Sequence, residues 1–345
     1  MSASMLADLI GDAARASVIG LAKNTGKTRT LVALLAELHA RVRSVGLTSV
    51  GRDGERDDIL DPRIPKPPVA MPPGGLVATS EQLLRAAGVD YEVLDRTGYS
   101  TPLGHTVIAR LPAGGAIEIA GPSSNAATAK VCDTMLELGA DQVLIDGAIN
   151  RRAAASPSVA DVVVLATGAA LHRSRDEVVA QTVAAVETMT LPVSGDPAFL
   201  DAADAAEGSV AVLGSGERVA LERRVTLGGA AGDIDALFRG AGLNGVLLGG
   251  ALCESFVDEI RRRTRGRKVS LVARDSSRVF LSNRSCSWYR GYGVSIEVLR
   301  PTVLAGLTVN PVAPLAHRFD SVVLRGELSA KLPGLFVCDL GPHVA

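Results

Sequence analysis

The sequence of 345 residues is poor in aromatic side chains, which make up 3% of it and include a single tryptophan. Few aromatic rings leave few stacking platforms for single-stranded nucleic acid. Lysine and arginine number 36 and aspartate and glutamate 37, so the formal net charge is −1. A balance this close to zero gives no electrostatic basis for binding nucleic acid or an anionic membrane. We therefore expect neither as a partner.

Cysteine is also scarce, and its spacing excludes two classes of small-domain architecture. The four cysteines are far apart and form no C-x-x-C pair; they are Cys132, Cys253, Cys286 and Cys338. A structural zinc site or a disulfide scaffold needs closely spaced cysteines or many of them. We predict four reduced thiols.

Long apolar runs are absent as well. No stretch of about 18 unbroken apolar residues occurs, as a membrane-spanning helix would need. The first 17 residues contain two acids and lack the basic start and apolar run of a secretory signal. These observations predict a soluble, cytoplasmic protein.

A glycine- and lysine-containing segment, GLAKNTGKT at residues 20–28, is the first motif that can carry chemistry. It stands between a short apolar run and a segment with helical spacing, and its GKT end is typical of a phosphate-binding loop. Gly26 lets the backbone approach a phosphate, Lys27 reaches the β- and γ-phosphates, and the Thr28 hydroxyl holds Mg²⁺. The residues predicted to bind the nucleotide are Lys23, Asn24, Thr25, Gly26, Lys27 and Thr28.

A second motif supplies the acid that such a loop needs. The apolar run at residues 143–145 ends in Asp146 and reads as a strand of the same domain. In a parallel sheet its tip would lie beside the 20–28 loop, where a carboxylate orders the water shell of Mg²⁺. The predicted metal site is therefore Thr28 with Asp146.

A charged, proline- and glycine-rich segment at residues 52–75 follows the predicted strand at 45–51. Loops of this length in a compact domain are usually functional or disordered, and its place beside the first motif favours function. Asp53 or Glu55 would lie near Mg²⁺, although a solvated charged turn explains these acids equally well. The catalytic candidates are Lys27, Asp146 and Asp53. Arg151, just past Asp146, is a candidate contact for phosphate or a second substrate.

The order of apolar segments indicates the fold class. Strand-like runs alternate with helical segments along most of the chain, which predicts an α/β protein. Together with the first motif, this gives a mostly parallel sheet like that of P-loop NTPases, followed by a second, smaller α/β domain. The predicted boundaries are 1–190 for the nucleotide-binding domain, 191–225 for a connector and 226–345 for the C-terminal domain. Asn310 and Pro311, after the run GLTV, are predicted to form a turn at a strand end.

Several of these segments together resemble one family. They are GLAKNTGKT, TSVGRDGERDD, AGPSSNAATAKV, VLIDGAINRRAAASPSVADVVVLATGAAL and, near the end, LAGLTVNPVAP. The sequence resembles the P-loop subunit of the lysine 5,6-aminomutase reactivase family over about residues 15–340, with the stretch 190–225 poorly covered. The motifs DGAINRRAAASP and GRDGE make the resemblance more specific than a phosphate-binding loop alone.

The resemblance implies a function. Aminomutases of this family's kind use adenosylcobalamin and pyridoxal phosphate, and loss of the adenosyl radical leaves a damaged cobalamin in the enzyme. A reactivase resembles a molecular chaperone that uses ATP to open the mutase and exchange the damaged cofactor. The implied cofactors of this chain are ATP and Mg²⁺. The implied partners are a second reactivase ATPase subunit and the cobalamin-dependent aminomutase.

Two other functions remain open from the residues. The region around the first motif also looks like that of dethiobiotin synthetase, so a small-molecule kinase or ATP-dependent ligase is an alternative. A nucleotide sensor that does not hydrolyse its ligand is another. It is kept open because Leu21 stands where the strict motif has glycine, and because no residue that activates water is identifiable.

Overall fold

The computed structural model describes residues 5–41, 43–51, 68–148, 154–205, 208–221, 238, 242–264, 266–282, 284–314 and 317–341. Within these ranges the chain forms a nine-stranded sheet, a five-stranded sheet and two sheets of two strands, with helices between the strands. The predicted α/β class with a large, mostly parallel sheet is confirmed. In the same ranges, no helix has the length and apolar character needed to cross a membrane.

The elements alternate between strand and helix along most of the chain. The helices are α1 (Met5–Ile10), α2 (Lys27–Ala40), α3 (Glu81–Ala87), α4 (Asn125–Glu137), α5 (Arg175–Met189), α6 (Pro197–Ala205), α7 (Glu254–Thr264), α8 (Cys286–Gly291) and α9 (Ser321–Lys331). The strands are β1 (Arg15–Gly20), β2 (Val45–Ser49), β3 (Val69–Met71), β4 (Gly75–Ser80), β5 (Glu92–Thr101), β6 (Gly104–Leu111), β7 (Gly115–Ile117), β8 (Gln142–Ala148), β9 (Val162–Gly168), β10 (Ser209–Leu213), β11 (Arg218–Leu221), β12 (Leu243–Leu248), β13 (Leu252–Cys253), β14 (Val269–Asp275), β15 (Val279–Phe280), β16 (Val294–Arg300), β17 (Leu304–Asn310) and β18 (Phe336–Asp339).

The chain divides into two compact units, and the division differs from the predicted one. Unit 1 consists of residues 1–183 and 303–345, and unit 2 of residues 184–302. The structure corrects two predicted boundaries. Strands β17 and β18, expected in a C-terminal domain at 226–345, belong to unit 1 because β17 pairs with β9. The expected connector at 191–225 contributes α6, β10 and β11 to unit 2.

The nine-stranded sheet of unit 1 has the order β18-β17-β9-β1-β8-β2-β4-β6-β5. All neighbouring pairs from β18 to β4 are parallel, and β6 runs antiparallel to both of its neighbours, β4 and β5. Strand β1 lies inside the parallel part, between β9 and β8. The carboxyl ends of these parallel strands therefore meet at one edge, where open α/β sheets bind their ligands.

The central strands of this sheet are buried because their sequences are almost continuously apolar, as strands covered on both faces require. Val18, Leu144 and Val164 are fully buried in one core cluster. Each such side chain contributes about 1.5–3 kcal/mol of transfer free energy. On α2, Leu31 and Leu35 are four residues apart and join the same cluster, which fixes the helix that begins at the 20–28 loop against the sheet.

Unit 2 is built around a five-stranded sheet in the order β11-β10-β12-β14-β16. Strands β12, β14 and β16 are parallel, and β10 is antiparallel to both of its neighbours. Along β12, Val246 and Leu248 belong to one buried cluster and Leu247 to another. This alternation shows that both faces of the sheet are covered.

Candidate functional site

The 20–28 loop joins the end of β1 to the start of α2. Strand β1 ends at Gly20 and the helix begins at Lys27, with Gly26 at its N-cap in the left-handed conformation (φ +94°). The Gly26 carbonyl accepts the first helical hydrogen bond, from the Thr30 amide at 2.9 Å. Strand, loop and helix thus follow one another as the motif predicts, and the helix N-terminus opens at the carboxyl edge of the sheet.

The loop is tightly closed on itself. The Thr25 hydroxyl is buried and donates to the Ala22 carbonyl at 2.9 Å. A Cβ atom on Gly20 would lie 2.7 Å from the Thr25 hydroxyl oxygen and 3.3 Å from the Lys27 Cβ. The geometry of this loop therefore requires glycine at position 20. The strict motif has its first glycine at position 21, and in this chain the glycine one residue earlier allows the loop to close.

Lys27 and Asp146 form an ion pair at the centre of the site. The Lys27 Nζ lies 2.8 Å from Asp146 Oδ1, and their side chains are 16% and 4% exposed. Asp146 comes to this position because β8 pairs with β1 in parallel, with Asp146 opposite Val18. A carboxylate so far from water is stable in its charged form only with a partner, and Lys27 supplies one.

The segment after β2 packs against the tip of β8. The Ser49 hydroxyl accepts a hydrogen bond from the Gly121 amide at 2.9 Å and donates to the Gly51 carbonyl at 2.8 Å. The Val50 amide donates to the Asp146 carbonyl at 3.3 Å. Residues 49–51, just before the charged segment, thus lie next to Asp146, as expected from the strand order.

The structure locates some of the predicted site residues and not others. Lys23 and Asn24 are exposed, Thr25 is buried, and Thr28 is half-buried in the first turn of α2. Asp53, Glu55 and Arg151 lie outside the described residues, as does the stretch 52–67 of the predicted functional loop. The end of that loop is not irregular, because Val69–Met71 forms strand β3, paired antiparallel with β7.

Asn310 is a contact of the loop that the sequence did not predict. It ends β17, and its Nδ2 donates to the Asn24 carbonyl at 2.8 Å. The sequence indicated only a turn at a strand end, because nothing local relates two residues that are 286 positions apart. The one available signal was a polar side chain directly after an apolar strand, the same signal that identified Asp146.

The polar groups of the site fit Mg²⁺ and a triphosphate. No group of three or more His, Cys, Asp and Glu side chains lies together in the part of the chain that the structure describes. Mg²⁺ in phosphate sites needs no such group, since it keeps several waters and takes one or two protein oxygens beside phosphate oxygens. The Asp146 carboxylate and the Thr28 hydroxyl, in the first turn of α2, supply oxygens of the kind that requirement names, and Lys27 at the helix N-terminus fits an anion.

Comparison with known proteins gave no match of the chain to a protein-family model, a curated protein or a solved structure. The resemblance to the reactivase family therefore stays a prediction from the sequence motifs.

Proposed function

We propose that this protein binds Mg²⁺–ATP at the 20–28 loop and hydrolyses it, with unit 1 as a P-loop NTPase-type domain. The observation that carries the proposal is the ion pair of Lys27 with Asp146. It joins the first residue of a helix behind a glycine-containing loop to the acid of the adjacent parallel strand. Phosphate-binding loops with a Walker-type acid combine the same two groups, a lysine at the start of the helix and an acid on a neighbouring strand.

The proposal assigns a role to each residue at the edge of the sheet. The amides at the start of α2 face the phosphates, and the helix dipole favours their negative charge. Lys27 leaves Asp146 and neutralises the β- and γ-phosphates, where the charge of the transition state develops. Asp146, released from Lys27, and the Thr28 hydroxyl would hold Mg²⁺, which would supply positive charge to neutralise the phosphates. Asp53 remains the candidate for orienting the attacking water.

For the cellular role, we propose an ATP-dependent reactivase acting in the cytoplasm on an adenosylcobalamin-dependent aminomutase, together with a second ATPase subunit. The support is the set of family-like motifs, of which three lie around the site. GLAKNTGKT forms the loop itself, TSVG ends β2, and VLIDGA forms β8. ATP drives cofactor exchange in this account only if it binds the open mutase complex better than the closed one.

A reactivation assay tests this role. An aminomutase carrying inactive cobalamin is incubated with intact adenosylcobalamin, ATP, Mg²⁺, this protein and its candidate partner subunit. Recovery of mutase activity that requires ATP, and that Lys27→Ala abolishes, is the expected result. ATP hydrolysis that responds to a small metabolite and not to the mutase would contradict the reactivase role and favour the kinase or ligase alternative.

A further inference from the structure

Strand β17 is joined to the 20–28 loop and the start of α2 by side chains. The hydroxyls of Thr308 and Thr30, both buried, share a hydrogen bond of 2.7 Å. At the end of the strand, Asn310 Nδ2 donates to the Asn24 carbonyl at 2.8 Å. A Cβ atom on Gly26 would lie 3.2 Å from the Asn310 Cβ, so the two backbones approach closely there.

The residue that Asn310 contacts has an unusual conformation. Asn24 has φ +63°, and among the described residues it is the one non-glycine residue at positive φ. This region is disfavoured for residues with a side chain, although asparagine tolerates it better than most. Such a conformation persists where the surroundings hold it, and the hydrogen bond to its carbonyl is a contact that can do so.

Asn310 is itself held in place, which orients its side-chain amide. Its Oδ1 accepts from the Val312 amide at 3.1 Å, and its backbone carbonyl accepts from the Ala169 amide at 2.8 Å. A Cβ atom on Gly168 would lie 1.9 Å from the Asn310 carbonyl oxygen, so only glycine permits this approach of β9 and β17. With Oδ1 engaged by Val312, the donating Nδ2 faces Asn24.

We propose that Asn310 is a positioning residue for the phosphate-binding loop. It fixes the Asn24 peptide in its left-handed conformation and thereby orders the amides of residues 24–27 before a ligand binds. It acts through Asn24 rather than by touching the ligand. A loop ordered in advance loses less conformational entropy when a ligand binds. Because this loop contacts the phosphates in the proposed function, Asn310 raises the affinity for the phosphates equally, whatever nucleoside they carry. The effect on binding rests on the proposed function.

Two measurements test the proposal, on the full chain with Asn310→Asp and Asn310→Ala. Asn310→Asp keeps the acceptor for Val312 and removes the donor to Asn24 but adds a negative charge, whereas Asn310→Ala removes donor and acceptor without adding charge. A change that both variants share therefore reports the loss of the hydrogen bond to Asn24. Without ligand, we expect faster hydrogen exchange of the amides of residues 21–27 in both variants. With ligand, we expect the Kd values for Mg²⁺–ATP and for inorganic tripolyphosphate to rise together, about fivefold to tenfold.

Asn244→Ala is the matched control, because Asn244 is an exposed asparagine of unit 2 with a side-chain hydrogen bond to Asp196. It should change neither the exchange of residues 21–27 nor the two Kd values. Unchanged exchange in both Asn310 variants would overturn the proposal. Weaker binding of ATP with unchanged binding of tripolyphosphate would also overturn it, since the effect would then concern the nucleoside. If the wild-type protein binds neither ligand, the proposed function fails, and the exchange measurement alone decides the positioning role.

Discussion

At the scale of single residues, the site is organised by one buried charge. Asp146 lies within β8, two residues before its end and buried, where an unpaired carboxylate would be costly. Without a ligand, Lys27 neutralises it. Under the proposed function, phosphates would attract Lys27 and the same carboxylate would become available to Mg²⁺. The ion pair would then be a resting arrangement in which the two proposed ligand-binding groups satisfy each other.

A double-mutant cycle measures this pairing in the ligand-free protein. Lys27→Met keeps the alkyl stem and removes the charge, and Asp146→Asn removes the opposite charge. Because each single variant leaves a partly buried polar group without its ion-pair partner, both should lower the free energy of unfolding. The double variant should lose less than the sum, with a coupling of about 1–3 kcal/mol in denaturant unfolding. Additive losses would contradict an energetically meaningful pair.

The positive φ of Gly26 in the 20–28 loop gives a second prediction for a single residue. Gly26→Ala puts a side chain at φ +94° and 3.2 Å from the Asn310 Cβ. Gly216→Ala, at φ +84° with no heavy atom within 4 Å, is a control for the backbone strain alone. Both variants should lose about 1 kcal/mol of stability. Only Gly26→Ala should also weaken nucleotide binding, as measured by calorimetry, and equal nucleotide affinities for the two variants would argue against a role of the loop.

The binding and catalytic roles of Lys27 and Asp146 stay predictions, and the ion pair confirms only that the two residues lie together. That proximity was predictable because each belongs to a recognisable strand or loop pattern, and parallel strands bring their carboxyl ends together. Asn310 was not, since its significance depends on β17 lying two strands from β1, beyond β9. That neighbourhood is set by pairing between distant segments, which one sequence does not reveal.

At the scale of elements, periodicity identified the buried segments and missed an exposed one. Strand β8 was predicted from its apolar run and helix α2 from the helical spacing after the 20–28 loop. Helix α4 begins after Ser124, whose hydroxyl caps it by accepting from the Ala127 amide. Strand β5 was missed, since its residues are half-buried or exposed and include charged side chains. Strand β5 is held in the sheet by its pairing with β6 rather than by an apolar face.

The four cysteines differ in burial according to the element that carries them, and this predicts how fast each one reacts. All four are free thiols, as predicted. Burial raises the pKa of Cys132 in α4 and of Cys286 in α8 to about 12, and that of Cys338 in β18 to about 11. Cys253 is only partly buried. With iodoacetamide at about pH 8, mass spectrometry should find Cys253 alkylated first, because reaction needs an accessible thiolate.

The raised pKa values of these buried thiols determine how the stability of the folded protein changes with pH. A thiol whose pKa is raised in the folded state stays protonated there after the unfolded thiol, with its ordinary value of 9.0, has ionised. Its contribution to stability is therefore complete below pH 9 and is lost as the pH rises toward 11–12. Alkylation of Cys132 or Cys338 as rapid as that of Cys253 in the native protein would contradict their burial.

At the scale of the whole molecule, unit 2 is a continuous stretch between two parts of unit 1. The chain leaves unit 1 after residue 183 and returns at residue 303. The sequence assigned residues 226–345 to one domain, because strand-like and helical segments alternate through that stretch. The returning strand β17 instead completes the large sheet beside β9, whose residues are all buried.

This arrangement predicts the behaviour of the fragment 1–190, the domain expected from sequence alone. The fragment lacks β17 and β18, so β9 becomes an exposed, apolar edge strand without its hydrogen-bonding partner. We expect it to aggregate, as measured by light scattering. Residues 1–183 joined to 303–345 through a flexible linker should give a monomer with an ordered sheet. A stable, monomeric 1–190 fragment would contradict the assignment of the last strands to unit 1.

Isothermal titration calorimetry with Mg²⁺–ATP tests the proposal that the 20–28 loop binds a nucleoside triphosphate through Lys27. We predict measurable binding by the wild-type protein and a Kd about 100-fold higher for Lys27→Ala, since a charge-assisted contact to phosphate contributes about 1.5–3 kcal/mol. Lys331→Ala, which removes an exposed lysine from the last turn of α9, should bind like the wild type. No binding by the wild-type protein, or unchanged binding by Lys27→Ala, would contradict the proposal.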